Sequence, residues 1–281
     1  MKINIIKNLL LSILCLCFFQ ATAQDLHRKF ADLPCFNKNF NTIVHVAVDS
    51  LNRDPIASEQ FINQMLRETT EFFDPICLSF TACEVNIIDS NYSYSNLQDA
   101  PIPLEERIEK MEALFHKPRR INIFVVDSIE NVECGIGKFE GITTETEAIV
   151  IIELNNCPDT KPSQNLAHQL GHIFGLYDTF TSANPVELVD GSNCENAGDL
   201  ICDTPSDPYG RVIPVPGDTL NYSLSYLRGC EFIFEALDAN GEYYQPDVGN
   251  IMSAYPCKCG FTREQYLKMS DVYFNSSVKQ F

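Results

Sequence analysis

Residues 58–73 place Phe61, Ile62, Met65, Leu66, Phe72 and Phe73 at spacings of three and four, the period of a helix with one apolar face. Asp74-Pro75 then stops the pattern, because a residue preceding proline is driven out of the helical region. Leu104, Ile108, Met111, Leu114 and Phe115 mark a second helix, and Leu166, Leu170, Ile173 and Phe174 a third. The third opens near Ser163, a residue type that caps helices, and Gly175 is a natural stop. A fourth opens at Thr262, where Gln265 completes a capping box, and runs on through Tyr266, Met269 and Tyr273. Between the helices lie Ile43–Val48, Val85–Ile88, Ile121–Val126 and Ala148–Ile152. The last two are apolar almost throughout, as strands covered on both faces are. The order β, α, β, α, β, β predicts an α/β (α+β) sheet with helices packed on it. From Asp178 to about Gly249 the periodicity vanishes and Asn, Asp, Gly and Pro become frequent. A loop region of that length needs staples or bound ions to be ordered.

The N-terminus changes the picture of where the chain works. Lys2 and Lys7, the apolar run Ile5–Phe19 and Ala21-Thr22-Ala23 form the layout of a signal peptide over residues 1–23, with cleavage after Ala23. The run is too short to span a bilayer as a helix, which takes about 20 residues. Cys15 and Cys17 each follow leucine rather than a small residue, which argues against a lipid anchor. No later stretch is apolar enough to cross a membrane, so a secreted or periplasmic chain is expected, one domain over residues 24–281. Beyond residue 23 there are 18 basic and 38 acidic residues. A surface that acidic repels phosphate backbones, which excludes nucleic acid as a partner. Ten cysteines remain, an even number that reads as disulfides in an exported chain. Cys194, Cys202, Cys230, Cys257 and Cys259 are the candidates nearest the aperiodic region, and the pairing stays open. No pair of C-x-x-C elements exists to make a zinc–cysteine cluster.

The chemistry concentrates in His168-Gln169-Leu170-Gly171-His172-Ile173-Phe174-Gly175-Leu176-Tyr177-Asp178. Residues four apart on a helix share a face, so His168 and His172 can aim two imidazoles at one metal. Gly175 lets the chain bend so that Asp178 supplies a carboxylate as third ligand. Two histidines, one carboxylate and a water make a catalytic zinc arrangement. Histidines four apart also occur on plain helix surfaces. The chain has only five histidines, however, and here a helix, a glycine stop and a third ligand coincide.

This stretch resembles the elongated zinc signature of the metzincins, H-E-x-x-H-x-x-G-x-x-H or D. Leu176-Tyr177-Asp178-Thr179-Phe180, Gly198-Asp199-Leu200-Ile201-Cys202-Asp203-Thr204-Pro205 and Asn250-Ile251-Met252-Ser253 narrow the resemblance to the pappalysin-like branch, which includes the bacterial cytophagalysins. The resemblance implies a two-lobed fold. An upper lobe, about residues 40–175, carries a twisted mixed sheet and the zinc helix. An irregular, disulfide-stapled lower lobe, about residues 176–281, carries the Met-turn, with Met252 as an apolar floor beneath the metal. A protein or peptide would lie extended in the cleft between them, paired with an edge strand, for which Ala148–Ile152 is the candidate. The resemblance also implies calcium, at Asp199, Asp203 and Thr204.

Three positions depart from the family pattern. Asp178 replaces a third histidine, and its charge makes a bound water less acidic than a neutral ligand would. Gln169 stands where the family has the glutamate that takes a proton from the water, and an amide cannot accept one. Ala254 stands where a tyrosine often steadies the oxyanion, with Tyr255 one residue further on. The expectation is a zinc-binding metallopeptidase-family protein with an impaired catalytic centre that binds a protein or peptide. The alternatives are an active zinc metalloendopeptidase and a structural domain without metal.

Overall fold

The strands follow from the apolar runs, with one exception that matters. The structure is a computed structural model that describes residues 32–49, 54–88, 104–127, 134–137, 148–154, 157, 160–210, 212–215, 218–221, 227–228, 230–233 and 235–275. Cys35–Phe281 forms one compact unit, separate from Met1–Pro34. The expected signal peptide lies outside the described residues. Among those described, no helix is long and apolar enough to cross a membrane.

Strands β1 (Lys38–Ala47), β2 (Leu78–Ile88), β3 (Ile121–Val126), β4 (Gly135–Gly137) and β5 (Ala148–Glu153) form a sheet in the order β2-β1-β3-β5-β4. All pairings are parallel except β4 on β5. β3 and β5 are buried at every residue, Asn122 and Glu153 included, as their mostly apolar sequences favour. β5 pairs with β3 on one side and with β4 on the other, Gly135 facing Ile152 and Gly137 facing Val150. Ala148–Ile152 is therefore not the edge strand expected from the sequence. A strand with two buried faces belongs inside the sheet, and the edge falls to the short glycine-rich β4. β2 begins seven residues earlier than Val85. Only one of its faces is covered, so its first half alternates rather than running apolar.

Helix α1 (Glu59–Glu71) is capped by Ser58, whose Oγ accepts from the Phe61 amide at 3.2 Å. It ends just before Asp74-Pro75, which opens a single 3-10 turn. Helix α2 (Leu104–Phe115) covers one sheet face, where Ile108 and Met111 pack with Ala47, Ile88, Phe124, Val126, Ile149 and Ile151. Helix α3 (Pro162–Ile173) starts two residues earlier than a cap at Ser163 would allow. Lys161 is the cap, its amide donating to Gln164 Oε1 at 2.9 Å, and Pro162 takes the first helical position, where a missing N–H costs nothing. Ser163 instead donates to Glu68 of α1 at 3.0 Å. Helix α4 (Arg263–Asn275) has the expected capping box between Thr262 and Gln265.

Four disulfides form: Cys35–Cys77, Cys134–Cys157, Cys194–Cys202 and Cys230–Cys257. Cys83 and Cys259 are free and exposed, so the disulfide expected of Cys259 is absent. Cys257, its near neighbour, is already bridged to Cys230. Cys83 stands at a bulge of β2, where the register slips between Ala82 and Glu84 opposite Thr42 and Ile43, at the other end of the sheet from β4.

His45 on β1 is buried, stacks on Phe124 at 4.6 Å and places Nε2 3.3 Å from Asn122 Oδ1. Burial pushes its pKa down from 6.5 to about 4. Between those pH values the unfolded chain carries a proton that the folded chain refuses, so stability rises with pH through that window and is lost as pH falls. Thermal unfolding from pH 4 to pH 6.5 should show a rising midpoint. His45→Gln should flatten the rise; an unchanged slope would remove His45 as its source.

Candidate metal centre

The two histidines project from one face of α3, and each is aimed by a backbone carbonyl. His168 Nδ1 bonds the Ile251 carbonyl at 2.8 Å, and His172 Nδ1 bonds the Leu176 carbonyl at 2.9 Å. An acceptor at Nδ1 fixes the proton there and leaves the Nε2 lone pair bare. Leu176 can turn its carbonyl onto His172 because Gly175 has φ +84°, a conformation open to glycine. The same turn brings Asp178 back to the histidines.

The two Nε2 atoms are 3.2 Å apart, and Asp178 Oδ1 lies 3.1 Å from one and 3.4 Å from the other. Zinc bonds of about 2.0–2.1 Å in a tetrahedron require ligand separations of about 3.3 Å, so the three atoms already stand where zinc would hold them. Asp178 Oδ1 is buried and accepts no hydrogen bond. Three lone pairs facing one another without a proton between them are unfavourable until a cation is placed among them. Among the described residues this is the only such grouping of His, Cys, Asp and Glu. Burial, with the Lys258 ammonium next, pushes His168 down to about 4, so its ring is neutral and ligand-ready at neutral pH.

The site opens into a cleft of about 350 Å³ lined by β4, α3, Asp178, Phe180 and the Ser253–Ala254 turn. β4 lies hard against α3. Asn165, one turn before His168, donates its amide to the Cys134 carbonyl. A Cβ at Gly137 would lie 2.9 Å from both the main-chain and side-chain oxygens of Gln169. Gln169 is buried at 3 % exposure and lines the cleft. The close approach of β4 was not read from the sequence; two glycines around one isoleucine are the signal that could have shown it.

The Met-turn is tied to the third ligand. Met252 is fully buried, with Sδ so near α3 that a Cβ on Gly171 would meet it at 2.5 Å. Thr179, next to Asp178, donates its amide to the Met252 carbonyl at 3.1 Å and its hydroxyl to Asp207 at 2.8 Å. Tyr255 is buried and donates its hydroxyl to the other Asp207 oxygen at 2.8 Å. Ala254 lines the cleft and Tyr255 does not, so the structure gives Tyr255 a bracing contact. Asp207 and Lys258 are the site's unforeseen members. Of the calcium candidates, Thr204 donates to Asp199 at 2.8 Å, and Asp203 accepts from the Glu264 amide at 2.9 Å and so caps α4.

The packing of β4 can be tested. Gly137→Ala should destabilise the protein by about 1–3 kcal/mol, because the methyl group meets backbone that cannot swing away. Gly260→Ala, which meets nothing within 4 Å, is the control and should stay within about 0.5 kcal/mol. Equal unfolding midpoints for the two variants would show that β4 is not packed as described.

Residues 111–273 match the sequence profile of the M43 peptidase family described as pregnancy-associated plasma protein-A. No curated protein matches. Three solved structures share the fold. Mirolysin in complex with compound 9 is 15 % identical, with TM-score 0.53 over 86 % of this chain and 94 % of its own. Mature mirolysin of Tannerella forsythia in complex with a cleaved peptide is 16 % identical, with TM-score 0.54 over 88 % and 96 %. A promirolysin mutant from the same organism is 14 % identical, with TM-score 0.55 over 92 % and 89 %. With more than half of the chain inside the family profile and the ligands converging as they do, this protein belongs to the pregnancy-associated plasma protein-A family of M43 peptidases and is a pappalysin-like metzincin.

Proposed function

We propose that this is an exported, zinc-binding member of its family in which peptide hydrolysis is impaired and the cleft serves to bind a protein or peptide. One observation carries the reading. Among the described residues lining the cleft, Asp178 is the only carboxylate, and it is committed to the metal. Zinc, when bound, supplies a Lewis acid that polarises a substrate carbonyl and acidifies a water. The chain must supply the base. Gln169 can orient a water with its amide but has no group that takes up a proton. Loss of a general base costs typically ~10²–10⁴-fold in rate.

The ligand is proposed to lie extended along β4, the edge strand of the sheet among the described residues, between residues of about 40–175 and 176–281. Four disulfides support an oxidising compartment and so an exported chain. Calcium at Asp199, Asp203 and Thr204 stays in the proposal on one ground: burial lifts the Asp199 carboxyl to about 7, and a cation beside it would relieve that burden. The second reading is an active metalloendopeptidase, favoured by the intact ligand set and Met-turn.

Metal analysis after mild dialysis should find about one zinc per chain, and His172→Ala should lose most of it. Retention of zinc by that variant would move the metal elsewhere. On generic protein substrates the parent should run close to background. Gln169→Glu, nearly isosteric, should raise turnover by at least ~10²-fold. Zinc-dependent cleavage by the parent at a rate that this variant does not improve would establish the second reading instead.

A further inference from the structure

Lys258 is not explained by the function proposed above. It lies beside Cys257, which is bridged to Cys230, and it lines the cleft although only 9 % exposed. Its Nζ donates to the Ile251 carbonyl at 2.7 Å and to the Ser253 carbonyl, the residues flanking Met252. The Ile251 carbonyl is the one that orients His168, and Nζ lies 3.2 Å from His168 Nδ1. The Lys258 carbonyl meanwhile accepts from Gln164 Nε2 at 2.5 Å, in the first turn of α3. One residue is thus joined to the zinc helix at two places, directly at its start and through Ile251 at His168.

We infer that Lys258 is a positioning residue for the metal centre, its ammonium pinning the Ile251 carbonyl that sets the orientation of the His168 imidazole. The inference rests on His168 being a metal ligand. A carbonyl oxygen has two lone pairs and can accept both the ammonium and the imidazole N–H. Hydrogen bonds from a charged donor are shorter and stronger than neutral ones, so the ammonium is the firmer of the two constraints. A second carbonyl on the same ammonium locks the turn around Met252 in a single conformation. Partners of this kind around a ligand typically change metal affinity by ~10–100-fold.

Charge and positioning make opposite demands. A positive charge beside a zinc ligand repels the ion, so on charge alone removing Lys258 would tighten binding. Positioning requires that removal loosen it. An ammonium buried at this point, with its donors on two turn carbonyls, marks positioning as the larger effect.

The test is Lys258→Met in the full mature chain, which keeps the aliphatic stem and removes the ammonium. Zinc affinity, measured by competition with a chelator, should fall ~10–100-fold. The melting temperature of the metal-free protein should fall only slightly, because two buried carbonyls lose a donor, and the absorption spectrum of the cobalt-loaded protein should change. Lys258→Arg, which restores a cationic donor, should recover part of the affinity and the parent spectrum. Zinc binding by the Met variant as tight as the parent's, or tighter, would overturn the inference and leave the metal centre standing. A metal-free melting temperature that falls in step with affinity, with no recovery by arginine, would reduce Lys258 to general support and also overturn it. A parent protein that binds no zinc would sink the proposed metal centre and this inference together.

Discussion

Each imidazole of the candidate metal centre has two nitrogens, and the geometry of this site depends on where the far one is bonded. His168 gives Nδ1 to the Ile251 carbonyl and His172 gives it to the Leu176 carbonyl. Neither acceptor is on the helix that carries the histidines. One comes from the turn before Met252 and the other from the bend after Gly175. The helix can therefore present two bare lone pairs only when both segments are in place. Most of what surrounds the cleft serves that requirement. The left-handed glycine turns Leu176 over, Thr179 fastens the bend to the Met-turn, and Asp207 joins Thr179 to Tyr255.

The irregular half of the chain is ordered by the same device used elsewhere in its loops. Carboxylates take the place of secondary structure by accepting backbone N–H groups. Asp238 accepts from the amides of Val189, Asn240 and Glu242 at 2.9 Å each, and Asp199 from that of Ile201. Asp203 and Glu264 each accept an amide from the other's segment. A surplus of acidic residues thus has a structural use beyond solubility, since a buried amide left unpaired is costly.

What was legible in the sequence was local. The spacing of His168, His172 and Asp178 around Gly175 fixes the ligand set, because helix period and a glycine turn act within eleven residues. The mostly apolar runs at Ile121–Val126 and Ala148–Ile152 mark strands covered on both faces, although the second was expected at the edge and lies inside the sheet. What was not legible depended on distant contact. β4 has three residues, two of them glycine, and becomes a strand only because β5 and α3 lie beside it. Tyr255 follows Ala254 by one residue, yet that step turns it from the cleft to a buried acid. Cys259 counts as half a disulfide by parity, but its neighbour's bond to Cys230 leaves it out. Ser163 looks like a cap, but Pro162 moves the helix start past it.

β4 has one consequence for how the protein matures. A three-residue antiparallel edge is too short to hold itself in a sheet. Here it is fastened by the Asn165 amide on the Cys134 carbonyl and by the Cys134–Cys157 bridge. The remaining strands are long, parallel and buried, and they can assemble without it. The chain can thus reach a nearly complete sheet and a formed histidine pair while one wall of the cleft is still unattached. Oxidation of the Cys134–Cys157 pair then fixes that wall in place. In a reducing compartment it would be the last part to arrive and the first to leave.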